Sequence, residues 1–305
     1  MSELHSKVIV IVALARDCAT QLSGNIKRIE VLRTFFSRSY VIIVENDSID
    51  GTKEILEDWR KKSSNVHIVS NNYNTITTPS KKNDVVPGMS FSRIEKMVYY
   101  RNLYLDTLES IADSIDYLMV IDIDIDSFSI NGILKSIQNA PNNWGGLFAN
   151  GKAKVVLGKI PIANCYYDSY AFVPIGKNAF MLPNNFVLNR RQYIHFHLPF
   201  HRYLLCQSAF CGIGIYKYRL IKGKRYIVQK NTLSNSSKLE SICEHVPFNL
   251  SLVNKGYCNY ISKYMCVSYN EKMNFMYFAA SFMPSFLFSI YHYLKKHLFN
   301  ETKKK

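Results

Sequence analysis

Apolar and polar residues fall in regular blocks along the first half of the chain. A strand is expected over 7–15, where residues 8–15 form an unbroken aliphatic run, the pattern of a strand buried on both faces. Cys18, Leu22, Ile26, Ile29 and Leu32 then recur at helical spacing and predict one apolar helix face. A second buried strand is expected over 39–44, a short helix over 52–61 and a third strand over 66–70. Residues 71–88 are polar and rich in Pro, Ser and Asn, which predicts a long loop of a kind usually kept for function. A long helix is expected over 92–114, because Ile94, Met97, Val98, Leu103, Leu105, Leu108 and Ile111 repeat near 3.6 residues. A fourth strand over 116–121 leads into Asp122, Asp124 and Asp126.

Strands alternating with helices predict an α/β fold with a mostly parallel sheet and helices on both faces. The pattern loosens after about residue 150. Short apolar and aromatic runs at 166–173, 210–217 and 225–228 predict a mixed or antiparallel part, and a helix is expected over 246–256. The organisation expected is therefore 1–150 as a Rossmann-like half, 151–270 as the second half of the same domain, and 271–305 as an apolar and basic helix.

Composition narrows the class. A chain of 305 residues with 48% hydrophobic and 20% charged residues can bury a large core without disulfides. The seven Cys are scattered, with no CxxC pair, and read as free thiols of a reducing compartment. The formal net charge of +15 favours anionic partners. The basic residues lack the dense clustering of a nucleic-acid module, so phosphate-bearing substrates or a membrane surface are expected instead, and no nucleic acid. The start of the chain leads straight into a strand, which favours a cytoplasmic protein. Residues 275–291 are almost wholly apolar or aromatic and five Lys follow. That pattern fits a helix lying in the plane of a membrane, so a peripheral position on its inner face is expected. A C-terminal helix packed on the core is the alternative.

The Asp series carries the candidate chemistry. On a continued strand Asp122, Asp124 and Asp126 share one face. Three carboxylates there repel one another and cannot be buried unpaired. At the carboxyl end of a strand, where open α/β sheets bind ligands, a divalent cation resolves that repulsion. Mn²⁺ or Mg²⁺ would also neutralise a diphosphate leaving group. Glu45-Asn46-Asp47-Ser48-Ile49-Asp50-Gly51-Thr52 follows another strand and opens a helix, with Asp50 or Thr52 as its cap. Two other features fail as sites. His195, His197 and His201 lack the Cys or acidic partners of a zinc site. Gly212-Ile213-Gly214 lacks the Lys and Ser/Thr of a phosphate loop and is expected to permit a close backbone approach.

Val44 to Thr52 resembles the V-D-D-G-S-x-D-G-T turn of family 2 glycosyltransferases, and Asp122-Ile123-Asp124 resembles their D-x-D motif. Tyr100-Arg101-Asn102-Leu103 resembles a segment of the cryptococcal capsule-type and Anp1/Mnn9-type mannosyltransferases, and Tyr167-Asp168-Ser169 and Cys243-Glu244-His245 are similar to blocks of the capsule-type group. The resemblance spans roughly residues 7–260 and implies a GT-A fold. It implies a donor such as a GDP- or UDP-hexose, with mannose favoured, and a glycan or glycolipid acceptor in surface polysaccharide or lipopolysaccharide synthesis. Carried over by position, Asp122 and Asp124 would hold the metal, with Asp126 and His245 as further ligands. Arg16, Glu45, Asp47, Arg101 and Asp122 would contact the nucleotide, and Asp168 or Glu244 would serve the acceptor. The rival readings are a sugar-phosphate nucleotidyltransferase and a non-catalytic nucleotide-sugar-binding protein. The nucleotidyltransferase usually carries a glycine-rich loop where this chain has Ala13-Leu14-Ala15-Arg16-Asp17.

Overall fold

The computed structural model describes residues 4–75, 87–111, 114–183, 185–233 and 239–282. Its elements run β1 (Val8–Ala15), α1 (Ala19–Arg33), β2 (Arg38–Asn46), α2 (Thr52–Lys62), β3 (Val66–Asn71), α3 (Phe91–Ile111), β4 (Tyr117–Asp122), β5 (Ser127–Phe128) and α4 (Ile130–Gln138). The second half adds β6 (Trp144–Leu157), β7 (Ile160–Tyr166), α5 (Phe186–His197), β8 (Tyr203–Cys206), β9 (Ile213–Lys217) and α6 (Tyr218–Ile221). It closes with α7 (His245–Val253), β10 (Cys258–Asn274) and α8 (Phe275–Ala280).

Ten strands make one sheet. Its order is β3-β2-β1-β4-β9-β6-β10-β5, with β7 beside β6 and β8 beside β10. The pairs β1–β2, β1–β4 and β2–β3 are parallel, as the alternating pattern predicts. β9 then enters antiparallel to both β4 and β6 and turns the sheet mixed. The pleat of β1 shows why its run is unbroken. Val10 and Val12 face one core with Tyr100, Tyr104 and Leu108 of α3. Ile9, Ile11 and Ala13 face another core with Leu22 and Ile29 of α1 and Leu56 and Trp59 of α2. Each face of the sheet is thus covered by helices.

Several expectations are corrected. The fourth strand stops at Asp122, and residues 123–126 form turns and bends. The three Asp residues therefore do not share a strand face. Residues 225–228 form no strand. The long strands β6 and β10 and the helices α4 and α5 were not foreseen. The helix expected over 246–256 starts at His245 and ends at Val253. All seven Cys are free, five of them buried. Residues 76–86 of the predicted loop, and all of the predicted C-terminal helix beyond 282, lie outside the described residues. No helix among the described residues is long and apolar enough to cross a membrane.

Candidate active site

The carboxyl ends of β1 and β4 open into a cleft of about 720 Å³, walled by α3 on one side and by residues 167–170 and 269–271 on the other. That volume suits a nucleotide-sized ligand. Asp122, Asp124, Asp168, Glu244, His245, Arg16 and Arg101 all line it, although they come from parts of the chain more than 200 residues apart.

The Asp122–Asp126 turn is held from beneath. The amide of Asn25, fully buried on α1, donates to the carbonyls of Ile123 at 3.0 Å and Ile125 at 2.6 Å. The Asp122 N–H donates to the carbonyl of Gly212 at 2.8 Å. Gly212 has φ of +88°, and a Cβ there would lie 2.6 Å from the Tyr269 hydroxyl. What comes close at Gly212 is a side chain and not a neighbouring backbone: the glycine seats the ring of Tyr269. Tyr269 and Tyr167 have centroids 4.6 Å apart at the cleft wall.

Carboxylates outnumber their partners at the cleft floor. Burial, then the neighbouring Asp124, pushes the Asp122 carboxyl up to about 8; Arg101 opposes this, and Asp168 and Glu244 add to it. Asp124 is open to solvent on one side, yet the protein atoms around it raise it too, against the pull of Arg101 and Arg93. Burial also raises Asp168, which accepts from the N–H of Tyr170 at 2.9 Å. One buried cation stands among them. The guanidinium of Arg101 donates from Nε to Glu244 at 2.9 Å, reaches Asp122 at 3.8 Å, and lies over the rings of Phe210 and Tyr226.

His245 lines the cleft with both ring nitrogens buried and without hydrogen-bond partners. It stacks on Phe210 at 3.8 Å. Burial, with Arg101 nearby, holds its imidazole well below the usual range, so it is neutral.

Other predicted residues serve the frame. Glu45 is fully buried and accepts from the Ser48 N–H at 2.8 Å and from the Ser70 hydroxyl, closing the β2–α2 turn. Asp47 sits at φ of +56° and accepts from the N–H groups of Asn74 and Thr75 and from the Thr75 hydroxyl. Against the cost of burial, those bonds from Thr75 and Asn74 hold it well below the ordinary carboxylate range. Arg16 spends its guanidinium on Thr75 and lies 3.6 Å from Asp47. Asp50 accepts from both Thr52 N–H and Ala19 N–H, and so ties α2 to the start of α1. Neither Glu45, Asp47 nor Asp126 lines the cleft. Several lining residues were not singled out from sequence, among them Arg93, in the first turn of the long helix, and Asn270 and Glu271. The helical periodicity around Arg93 gave its face but not its height over the cleft. The last two sit on β10, which no pattern had revealed.

No family model matches the sequence, and no curated protein matches it either. Similar solved structures exist. The mannosyltransferase PcManGT from Pyrobaculum calidifontis, in complex with GDP-Man and Mn²⁺, has 11% identity over 85% of this chain and 56% of its own, with a TM-score of 0.44. S. aureus TarS 1–349 in complex with UDP-GlcNAc has 12% identity over 87% of this chain and 59% of its own, with a TM-score of 0.43. GalNAc-T7 with UDP, GalNAc and Mn²⁺ has 9% identity over 88% of this chain and 44% of its own, with a TM-score of 0.49. The chain spans about half the length of these proteins. The likenesses are distant, and the functional reading rests on the cleft.

Proposed function

We propose that this chain is a glycosyltransferase that moves a hexose from a nucleoside-diphosphate sugar to a glycan or glycolipid acceptor, with mannose as the favoured sugar. The observation that carries the reading is the excess of carboxylates over cations at the cleft floor. Asp122, Asp124, Asp168 and Glu244 share one buried cleft-lining guanidinium, Arg101; Arg93 acts on Asp124 from the cleft wall and Arg190 on Asp168 from outside the lining, still fewer cations than carboxylates. A site built this way is incomplete without a cation.

The donor set fits Mn²⁺ or Mg²⁺. Among the described residues no three His, Cys, Asp or Glu side chains are gathered to hold a metal by themselves. These hard ions are commonly held by one or two carboxylates with phosphate oxygens and water completing the shell. Asp122 and Asp124 would supply the carboxylates, and the neutral His245 stands ready as a nitrogen donor. When bound, such an ion neutralises charge on the departing nucleoside diphosphate.

The chain's own residues divide the remaining work. Arg101 holds Asp122 and Glu244 in place and adds positive charge beneath the diphosphate. Glu244, bonded to Arg101, positions that cation. Among the described residues no ion pair to a guanidinium is formed by Asp168, whose carboxyl is raised by burial, so it is assigned to the acceptor side, where it orients and deprotonates the incoming hydroxyl. Tyr167 and Tyr269 offer ring faces for a sugar.

A thermal-shift screen of GDP- and UDP-sugars with and without Mn²⁺ tests the reading. A metal-dependent shift with one base supports it and names the donor nucleotide. No shift with any nucleotide sugar sinks it.

A further inference from the structure

The β6–β7 hairpin ends in a bare aliphatic tip. Leu157, Ile160 and Ile162 are 60%, 69% and 46% exposed. They flank a turn made by Gly158 and Lys159. Surface aliphatics are ordinary when single, but three within six residues of a protruding turn are not. The base of the hairpin is covered: Ala153, Val155 and Cys165 pack against Phe275 and Phe278 of α8. Among the described residues the tip has no such cover.

The tip is set in positive charge. Lys152, Lys154 and Lys159 are exposed on the hairpin, and Lys272 of β10 lies opposite Lys154 in the sheet register. Residues 151–166 contain no Asp or Glu. The bias extends over the whole second half of the chain. Residues 127–305 hold 23 Lys and Arg against five Asp and Glu, a net +18, while residues 1–126 hold 15 against 18, a net −3. Three of those five acids, Asp168, Glu244 and Glu271, are in the cleft. Among the described residues of this half, Glu240 is the one acid outside the cleft lining.

We propose that the β6–β7 hairpin is a membrane-docking element whose aliphatic tip enters the interface of an anionic lipid bilayer. Aliphatic side chains gain by leaving water for the acyl boundary, and the surrounding lysines are drawn to anionic headgroups. A nucleic acid fits less well, because the tip has no aromatic ring for a base and no Arg to fork onto one. The hairpin also sets the orientation. β7 runs seven residues from Ile160 to Tyr166, about 20 Å of strand, and the next two residues line the cleft. Docking by the tip holds the cleft mouth about that far from the headgroups. The claim is independent of the chemistry in the cleft.

Co-sedimentation of the full chain with vesicles of phosphatidylcholine alone, or with a quarter phosphatidylglycerol, tests it. The expected result is binding to the anionic vesicles only, weakened by salt and lowered at least about tenfold in the triple variant Leu157→Ser, Ile160→Ser, Ile162→Ser, with an unchanged melting temperature. Ile160→Trp provides a second readout, since Trp59 and Trp144 are both buried. Its fluorescence should shift to the blue with anionic vesicles. Three results overturn the proposal: no binding to anionic vesicles, equal binding of the triple variant, or a wild-type dimer that the triple variant dissolves. Sedimentation of Ile160→Trp without a blue shift overturns it as well.

Discussion

The Nε of Arg101 donates to the carboxylate of Glu244 at 2.9 Å across 143 positions of chain, and both side chains are almost fully buried. The pair joins α3 to the start of α7 directly under Asp122. Breaking a buried pair by removing one partner leaves an uncompensated charge, which typically costs about 3–5 kcal/mol. Arg101→Met should therefore destabilise the fold by about that amount. Glu244→Gln, which keeps shape and an acceptor oxygen, should cost less. Urea unfolding of both single variants and the double variant measures the coupling. Additive losses in the cycle would show that the two residues do not act as a unit.

A second prediction separates binding from stability at the metal position. Asp124 is exposed on one side and its carboxyl is raised by its surroundings, so Asp124→Ala should leave the melting temperature unchanged or slightly higher. Several kcal/mol of charge stabilisation are at stake in metal-assisted transfer. Transfer should fall by at least about 100-fold, and Mn²⁺ should no longer raise nucleotide affinity. Full transfer activity in Asp124→Ala would overturn the assignment of the Asp turn.

Asn25 yields a third prediction that the sequence did not suggest. Its amide is the partner of two buried carbonyls in the Asp turn. Asn25→Ala leaves both without a donor, and an unsatisfied buried polar group costs about 1–3 kcal/mol. Stability should drop by roughly that amount and metal-dependent nucleotide binding should weaken with it, although Asn25 touches neither ligand. Isothermal titration with GDP or UDP plus Mn²⁺ reads the second effect. Unchanged affinity would mean that the turn holds its shape without Asn25.

The contrast between Asn25 and Asp122 explains what could be read in advance. The β1-α1-β2-α2-β3 and α3-β4 order was legible because β1, β2 and β4 are largely buried on both faces and each helix on one, and burial leaves a pattern in the sequence. Asp122, Asp124, Asp168 and Glu244 were singled out in the sequence as candidates, and the fold brings them to one cleft. Glu45 and Asp47 were read as ligand contacts. Glu45 accepts from its own turn and from β3, and Asp47 from the segment after β3, and neither lines the cleft; an acidic residue at a strand end looks the same in sequence whether it takes a ligand or an N–H group. Asn25 shows only as one polar position on a helix whose remaining face is apolar. β6 and β10 were missed for a different reason. Each leaves the core midway: β10 alternates buried and exposed positions irregularly and shifts register three times against β6, which erases the period of two.

The last prediction concerns acid stability, through a histidine far from the cleft floor. His195 of α5 stacks on Phe282 at 5.2 Å and lies edge-on to Phe278 at 5.7 Å. Its ring nitrogens are buried and without hydrogen-bond partners. Burial, with some repulsion from Arg191, pushes its pKa down to about 4, against 6.5 for a free imidazole. Below pH 6.5 the unfolded chain therefore takes up a proton that the folded chain resists. The unfolded state binds more protons between about pH 6.5 and 4, so unfolding free energy falls as pH falls through that window and levels off beneath it. The stacking of α8 on α5 should loosen over the same range. His195→Phe keeps a ring against Phe282 and removes the titration. Its stability should match wild type at pH 7.5 or exceed it, and should decline less between pH 6.5 and 4.5 in urea titrations. His245 remains in the variant and keeps part of the slope, so the difference between the two curves, not the disappearance of the slope, is the quantity to measure. Parallel curves for wild type and His195→Phe would show that the imidazole takes its proton in the folded state as readily as in the unfolded chain.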